Sequence, residues 1–200
     1  MDRYAIAVFL SEARRQATHA EFAASDIAQA VKNDNHDRLW YSIHSLLIAL
    51  GNLSKLTWPT KKGDADRGVT LRALLHVPED SSLQGRQFRN DWEHYDERLD
   101  EWAKTPRTTP DPNDFIGPTS QFPEATLFLR AYDPETQTLS FRGEVLELAP
   151  ILPIVDRMRQ VADEYGYEAA SGALDLGKVE RVVKAKGGEI EARKSSTWPA

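Results

Sequence analysis

Near the start of the chain, apolar residues recur in steps of three and four over two long stretches. Leu10, Ala13, Ala17, Ala20, Ala24, Ile27 and Val31 form a heptad-like seam, and that spacing predicts one long helix over residues 2–32. The seam is mostly alanine, so a partner helix can come close. A run this short suits an antiparallel neighbour inside one domain better than a free coiled coil. Asn33, Asp34 and Asn35 break the pattern and offer N-cap side chains for the next helix. Leu39, Ile43, Leu46, Leu50 and Leu53 then repeat the spacing, with Trp40 and Leu47 widening the apolar face. They predict a second helix over 37–57, ended by Trp58-Pro59 because the residue before proline disfavours helical geometry. His44 and Asn52 are the polar inserts of this helix and read as structurally satisfied groups.

Residues 59–68 read as a polar loop in which Lys61, Lys62 and Arg67 are solvated rather than bound to phosphate. Gly63 and Gly68 lack the spacing of a phosphate-cradling loop. A short helix is expected over 70–76, and Pro78 to Ser82 supplies a break before a third long helix over 83–104. On that helix Phe88, Trp92, Tyr95, Leu99 and Trp102 fall on one stripe at about 100° per residue. Asn90, His94, Glu97 and Glu101 lie opposite, with Arg89 between the faces.

After residue 104 the character of the chain changes. Residues 105–121 are rich in Pro, Thr, Asp and Asn and read as a linker, since Asp111, Asn113 and Asp114 lack the Gly and terminal Glu of a calcium loop. Leu127–Tyr132 and Thr138–Arg142 are β-prone runs separated by a turn of hairpin length, and Val145–Leu148 offers a third strand. So few strands must lean on the helices. Pro153 suits the first turn of a further helix. Ile154, Val155, Met158, Val161, Ala162 and Tyr165 form its apolar face, and Gly166 suits its end. From 173 to 200 the chain is charged, with six basic and three acidic side chains between Lys178 and Lys194. That segment reads as a frayed helix and a disordered end, with at most weak affinity for RNA or a partner. The expected architecture is therefore mainly α: an antiparallel helical bundle over 1–104, the linker 105–121, a small antiparallel hairpin or sheet with a helix over 122–172, and the tail.

Composition narrows the function classes. The chain has 200 residues, 40% hydrophobic and 28% charged, the balance of an ordinary globular protein. It has no cysteine, which removes disulfides, thiolate chemistry and Cys-based metal sites. The opening residues lack the apolar run and cleavage site of a signal peptide. No window approaches the roughly 20 apolar residues of a membrane span. No membrane association is expected, and the cytoplasm is the expected location. A net charge of −6 opposes a broad nucleic-acid-binding surface but permits a small cleft of local positive charge.

The polar cluster with chemical specificity is Arg89, Asn90 and His94. Arg-Asn followed by three residues and His resembles the signature of the HEPN superfamily, helical domains of toxin–antitoxin and phage-defence systems. The resemblance implies a metal-independent endoribonuclease without cofactor that leaves 2′,3′-cyclic phosphate ends. It further implies a composite site at a homodimer interface, RNA as substrate, and an antitoxin protein as a further partner. His94 is then the general acid/base and Arg89 the phosphate stabiliser. In one well-studied subgroup a tyrosine stands two residues after the histidine. Here Tyr95 follows directly and Asp96 holds that place, so nothing particular to that subgroup carries over.

Residue chemistry is compatible with these roles. Histidine titrates ordinarily at about 6.5, near working pH. Arginine stays charged and offers a planar fork to phosphate. Asn90 lies one turn before His94, within reach of its ring on a helix. Arg89 and His94 are about 140° apart on an ideal helix, so a second copy across a twofold axis is the simpler way to place both on one phosphate. A non-catalytic account stands beside this one: Arg89 with Glu93, and His94 with Glu97 or Glu101, also make ordinary surface pairs worth a few tenths of a kcal/mol. The carboxylates of this helix repel phosphate, which favours an inactive helical dimer acting as a binding or sensor module. No Gly-x-Ser-x-Gly, His-Glu-x-x-His or glycine-rich phosphate loop is present.

Overall fold

The computed structural model describes residues 1–85, 94–104, 114–118 and 128–195, with side chains up to 185. Helix α1 spans Arg3–Lys32, and the Asp2 carboxylate accepts from the Ala5 amide to cap its start. Helix α2 spans His36–Thr57, with the Asn35 side chain accepting from the Arg38 amide. The chain reverses within Asn33–Asn35, so the two helices run antiparallel. Asn52 on α2 donates to Gln16 on α1 at 3.1 Å, and Arg38 pairs with Asp26. The apolar positions expected on α2 are all buried, and Trp58 ends the helix before Pro59.

Helix α1 also packs against α5, which spans Leu152–Ala170. Arg159 meets Glu21 at 2.6 Å and Arg14 pairs with Asp163, so α5 runs antiparallel to α1 on its other flank. Two flanking helices explain how the seam on α1 departs from expectation. Leu10, Ala13, Ala17, Ala20 and Ile27 are buried, but Ala23 and Ala30 are buried where Ala24 and Val31 were expected. A strict 3.5-residue repeat drifts by about 20° per heptad on a straight helix, and over α1 that drift moves contact to the neighbouring alanines. Gly166 does not end α5. It faces α1, where a Cβ would sit 4.0 Å from the Leu10 Cβ, and the helix runs on to Ala170 before Gly172 at φ 75°.

Helix α3 spans Ala65–Leu74, beginning inside the segment expected to be loop and stopping short of the expected His76. The misread signal is Gly68. A Cβ there would lie 2.6 Å from the Pro59 Cδ and 2.8 Å from the Thr57 carbonyl oxygen, so this glycine serves close approach of helix to helix end rather than a turn. Arg72 on α3 secures the junction, donating to the Thr57 carbonyl and to Glu79 and lying over the Trp58 ring. Arg67 lies 4.7 Å over the Phe9 ring, packed rather than free in a loop.

The expected helix over 83–104 is shorter at its start. Ser82–Gln84 form a 3-10 turn, and Gly85 is extended at ψ 123°. Residues 86–93 lie outside the described set. Helix α4 spans Tyr95–Ala103. Trp102 is buried and Tyr95 is partly buried against the core, but Leu99, expected on the same stripe, is exposed.

A four-stranded sheet comes next, in the order β1-β2-β3-β4. Strand β1 is Asp114–Ile116, inside the segment read as a linker, and it pairs parallel with β2, Arg130–Asp133. Thus the sheet is mixed rather than purely antiparallel. Its sequence signal was hidden because its edge position next to prolines leaves only three residues of pattern. Strands β3, Thr138–Phe141, and β4, Glu144–Glu147, continue antiparallel, β3 starting as expected and ending one residue early, β4 shifted by one residue from the expected run. Asp133 holds the β2–β3 turn by accepting from the Glu135 and Thr136 amides. The β3–β4 turn is Arg142-Gly143 with φ of 52° and 88°, the positive pair that matches strand twist in a two-residue hairpin. Arg130 ties the sheet to α2, clasping Asp114 with two hydrogen bonds while lying over the Trp40 ring.

The charged tail is helical over α6, Leu176–Ser195, which packs on α3. Its start is fixed by Leu174, fully buried, whose carbonyl accepts from Arg3 at 3.0 Å. Asp175 accepts from the Gly177 amide at 2.8 Å. The backbone hydrogen bond from Lys178, with help from Gly177 and Arg181, holds that carboxyl below its ordinary range. No described helix is long and apolar enough to cross a membrane.

Candidate functional site

Among Arg89, Asn90 and His94, the structure describes His94; Arg89 and Asn90 fall outside the described residues, as do Phe88, Trp92 and Glu93. His94 is the residue before the first turn of α4, at φ −99° and ψ 39°. Its carbonyl accepts from the Arg98 amide at 3.1 Å, so the helical ladder begins at His94. The angle of about 140° between Arg89 and His94 holds only on one continuous helix. A ψ of 39° at His94 is far from the helical value of about −42°, so regular helix begins after His94, and the arrangement of Arg89 lies outside the described residues.

What fixes His94 is the seating of α4. Trp102, two turns on, enters the core, and the Tyr95 ring rests on Phe141 with centroids 6.2 Å apart. The Tyr95 anchor lies toward the sheet. The His94 side chain is 59% exposed, on the surface as the polar stripe predicted.

Of its two expected charged neighbours, Glu97 lies beside it and Glu101 is paired with arginines. The His94 Nδ1 lies 3.8 Å from the Glu97 carboxylate, a distance of charge pairing rather than of a hydrogen bond. Glu101 is engaged elsewhere, 2.7 Å from Arg142 and 3.4 Å from Arg98. The hydrogen bond from Arg142 holds the Glu101 carboxyl below its ordinary value, with the charges of Arg142 and Arg98 adding to the effect. Arg142 is the residue here that sequence reasoning missed. It sits on the β3–β4 turn, some forty residues from α4, and only the docking of α4 on the sheet makes them neighbours. The Arg142-Gly143 dipeptide signals a turn but nothing about what the turn touches.

An imidazole in this setting is able to exchange protons with a bound molecule, since one face is open to solvent. The surrounding field is mixed. Asp96, Glu97, Asp100 and Glu101 are all exposed on α4, and Asp96 and Glu97 occupy its first turn, where the helix dipole favours negative charge. Arg98 and Arg142 offset part of that charge. Among the described residues no group of three or more His, Asp or Glu side chains is placed to hold a metal ion. No family model, curated protein or solved structure matches the chain.

Proposed function

We propose that the chain is a HEPN-like, metal-independent endoribonuclease of toxin–antitoxin or phage-defence type, acting as a homodimer. In this reading His94 is the general acid/base, Arg89 stabilises the phosphorane, and Asn90 orients the His94 ring. The observation that carries it is the exposed imidazole at the head of α4, joined to a helix whose apolar anchors point the other way. A histidine needed for packing would share the side of Trp102 and Tyr95. A histidine that serves a substrate needs what His94 has, an open ring.

The chemistry is transesterification. A base takes the proton of the ribose 2′-hydroxyl, and the oxygen attacks the adjacent phosphorus. The bond to the 5′-oxygen breaks, and an acid returns a proton to that oxygen. Products are a 2′,3′-cyclic phosphate and a 5′-hydroxyl end. Two copies about a twofold axis supply two imidazoles and two guanidiniums to one cleft. An antitoxin protein is a partner in this reading.

A second reading has one observation in its favour. The four exposed carboxylates of α4 oppose an RNA backbone, as expected of a helical dimer that serves as a binding or sensor module without cleavage. The experiment that separates the two uses wild type, His94→Ala and Arg89→Ala, with varied RNAs and EDTA present. Cleavage by wild type is expected, reduced about 10²–10⁴-fold in His94→Ala and about 10²–10³-fold in Arg89→Ala. No cleavage by wild type, or undiminished cleavage by His94→Ala, ends the nuclease reading in favour of the binding module.

A further inference from the structure

Ala24 and Val31, the two expected seam positions of α1 left only half-buried, share an open crevice with Ala28 from the same helix. The crevice has a volume of about 230 Å³, and its far wall is the β2–β3 hairpin, including Tyr132 and Gln137. Leu152 at the start of α5 also lines it. Two features distinguish it from a packing flaw. Small residues on α1 hold it open, although the same helix buries alanines tightly elsewhere. Tyr132 is only 5% exposed, but its hydroxyl, which no described group hydrogen-bonds, is not sealed from solvent. A hydroxyl so placed is free to donate to a molecule in the crevice.

The chemistry of the lining selects the ligand. None of the side chains that line the crevice is charged, so nothing there compensates an ionised guest. Burial pushes the Tyr132 phenol above its ordinary value, with the Asp133 charge adding to the effect, so it stays a protonated donor at neutral pH. An apolar cavity of about 150 Å³ accepts benzene, and this one is half as large again.

We propose that the crevice between α1 and the β2–β3 hairpin binds a compact, uncharged, mainly apolar molecule, about the size of a bicyclic aromatic, through an acceptor atom that meets the Tyr132 hydroxyl. The site is separate from His94 and does not rest on the nuclease reading.

Quinoline and naphthalene are matched probes, one with a ring nitrogen acceptor and one without. Ligand-observed NMR titration of the full chain at neutral pH is expected to show both binding. Tyr132→Phe, which keeps the ring, weakens quinoline about fivefold, the worth of one neutral hydrogen bond, and leaves naphthalene unchanged. Ala28→Leu fills the crevice and removes binding of both at an unchanged melting temperature. Absence of binding by wild type up to the solubility of the probes overturns the proposal. So does undiminished binding by Ala28→Leu, or a Tyr132→Phe effect equal for both probes or for neither.

Discussion

Along α1, the residues that meet α2 and α5 are alanines at almost every turn from Ala13 to Ala30, whereas α4 enters the core through one large side chain, Trp102, with Tyr95 resting on Phe141. The first region spreads its contact along most of the 30 residues of α1, so no single group dominates. The second concentrates it. Its other ties are ion pairs at the surface, Glu101 with Arg142 and with Arg98, which water and salt screen. The difference suits a division of labour. A helix held by two aromatic side chains, Trp102 and Tyr95, leaves the His94 ring solvent-exposed. A seam of alanines tolerates no such freedom, because its contacts lie along the whole length.

Replacing the anchor gives the largest expected effect. Trp102→Ala should lower stability by about 3–5 kcal/mol, and hydrogen exchange should show α4 amides losing protection before those of α1 and α2. A loss below about 1 kcal/mol, well under the usual cost of such a truncation, or a uniform loss of protection, would mean that α4 is held by something other than Trp102.

Ala17→Leu is next. Ala17 is fully buried between helices, and inserting a larger side chain into a packed interface costs about 1–3 kcal/mol. Ala28→Leu, on the same helix but in the open crevice, should stay within about 0.5 kcal/mol of wild type. Urea denaturation of the two variants is the check, and equal losses would remove the distinction between a closed seam and an open one.

Arg142→Ala gives the smallest effect, and its signature lies in pH. In the folded state Glu101 binds its proton less readily than at the ordinary value of 4.5, chiefly through the hydrogen bond from Arg142. A carboxyl depressed in this way adds stability that is complete above the unfolded value and lost as pH falls through the lower folded one. Wild type should therefore exceed Arg142→Ala by a constant margin from neutral pH to about 5, and the margin should close on further acidification. Urea midpoints across that range test it. A margin that persists at low pH would mean that Arg142 acts through packing.

Much of the helical frame was legible because large apolar residues at a fixed period fit one face of a helix and little else. Leu39 to Leu53 predicted α2 nearly to the residue, with Asn35 as its cap. Glycine misled twice. At Gly68 and Gly166 it read as loop or helix end, but both sit inside helices where a neighbour comes near, and the sequence carries no mark separating the two uses. Strand β1 was missed, and helix α6 was read only as frayed, for a related reason. Three residues beside prolines, and a run crowded with charge, hold too little pattern until Arg130 and Leu174 supply the long-range contacts. At the candidate site, the exposure of His94 was readable from its phase relative to Tyr95 and Trp102. The start of the helix at His94 was not, because the chain there lacks a strong stop or cap residue. Arg142 was beyond sequence reasoning altogether.

Gly68 has a mechanical consequence. In an ordinary helix, alanine in place of glycine stabilises by up to about 1 kcal/mol, but here a methyl group would act as a shim between α3 and the end of α2. Helix α6 rests on α3 and, at 20 residues, is a rod about 30 Å long. A tilt of about 10° at its seat would swing its far end by roughly 5 Å on the standard rise per residue. One absent carbon atom about a third of the way along the chain thus sets the direction in which the charged helix α6 points.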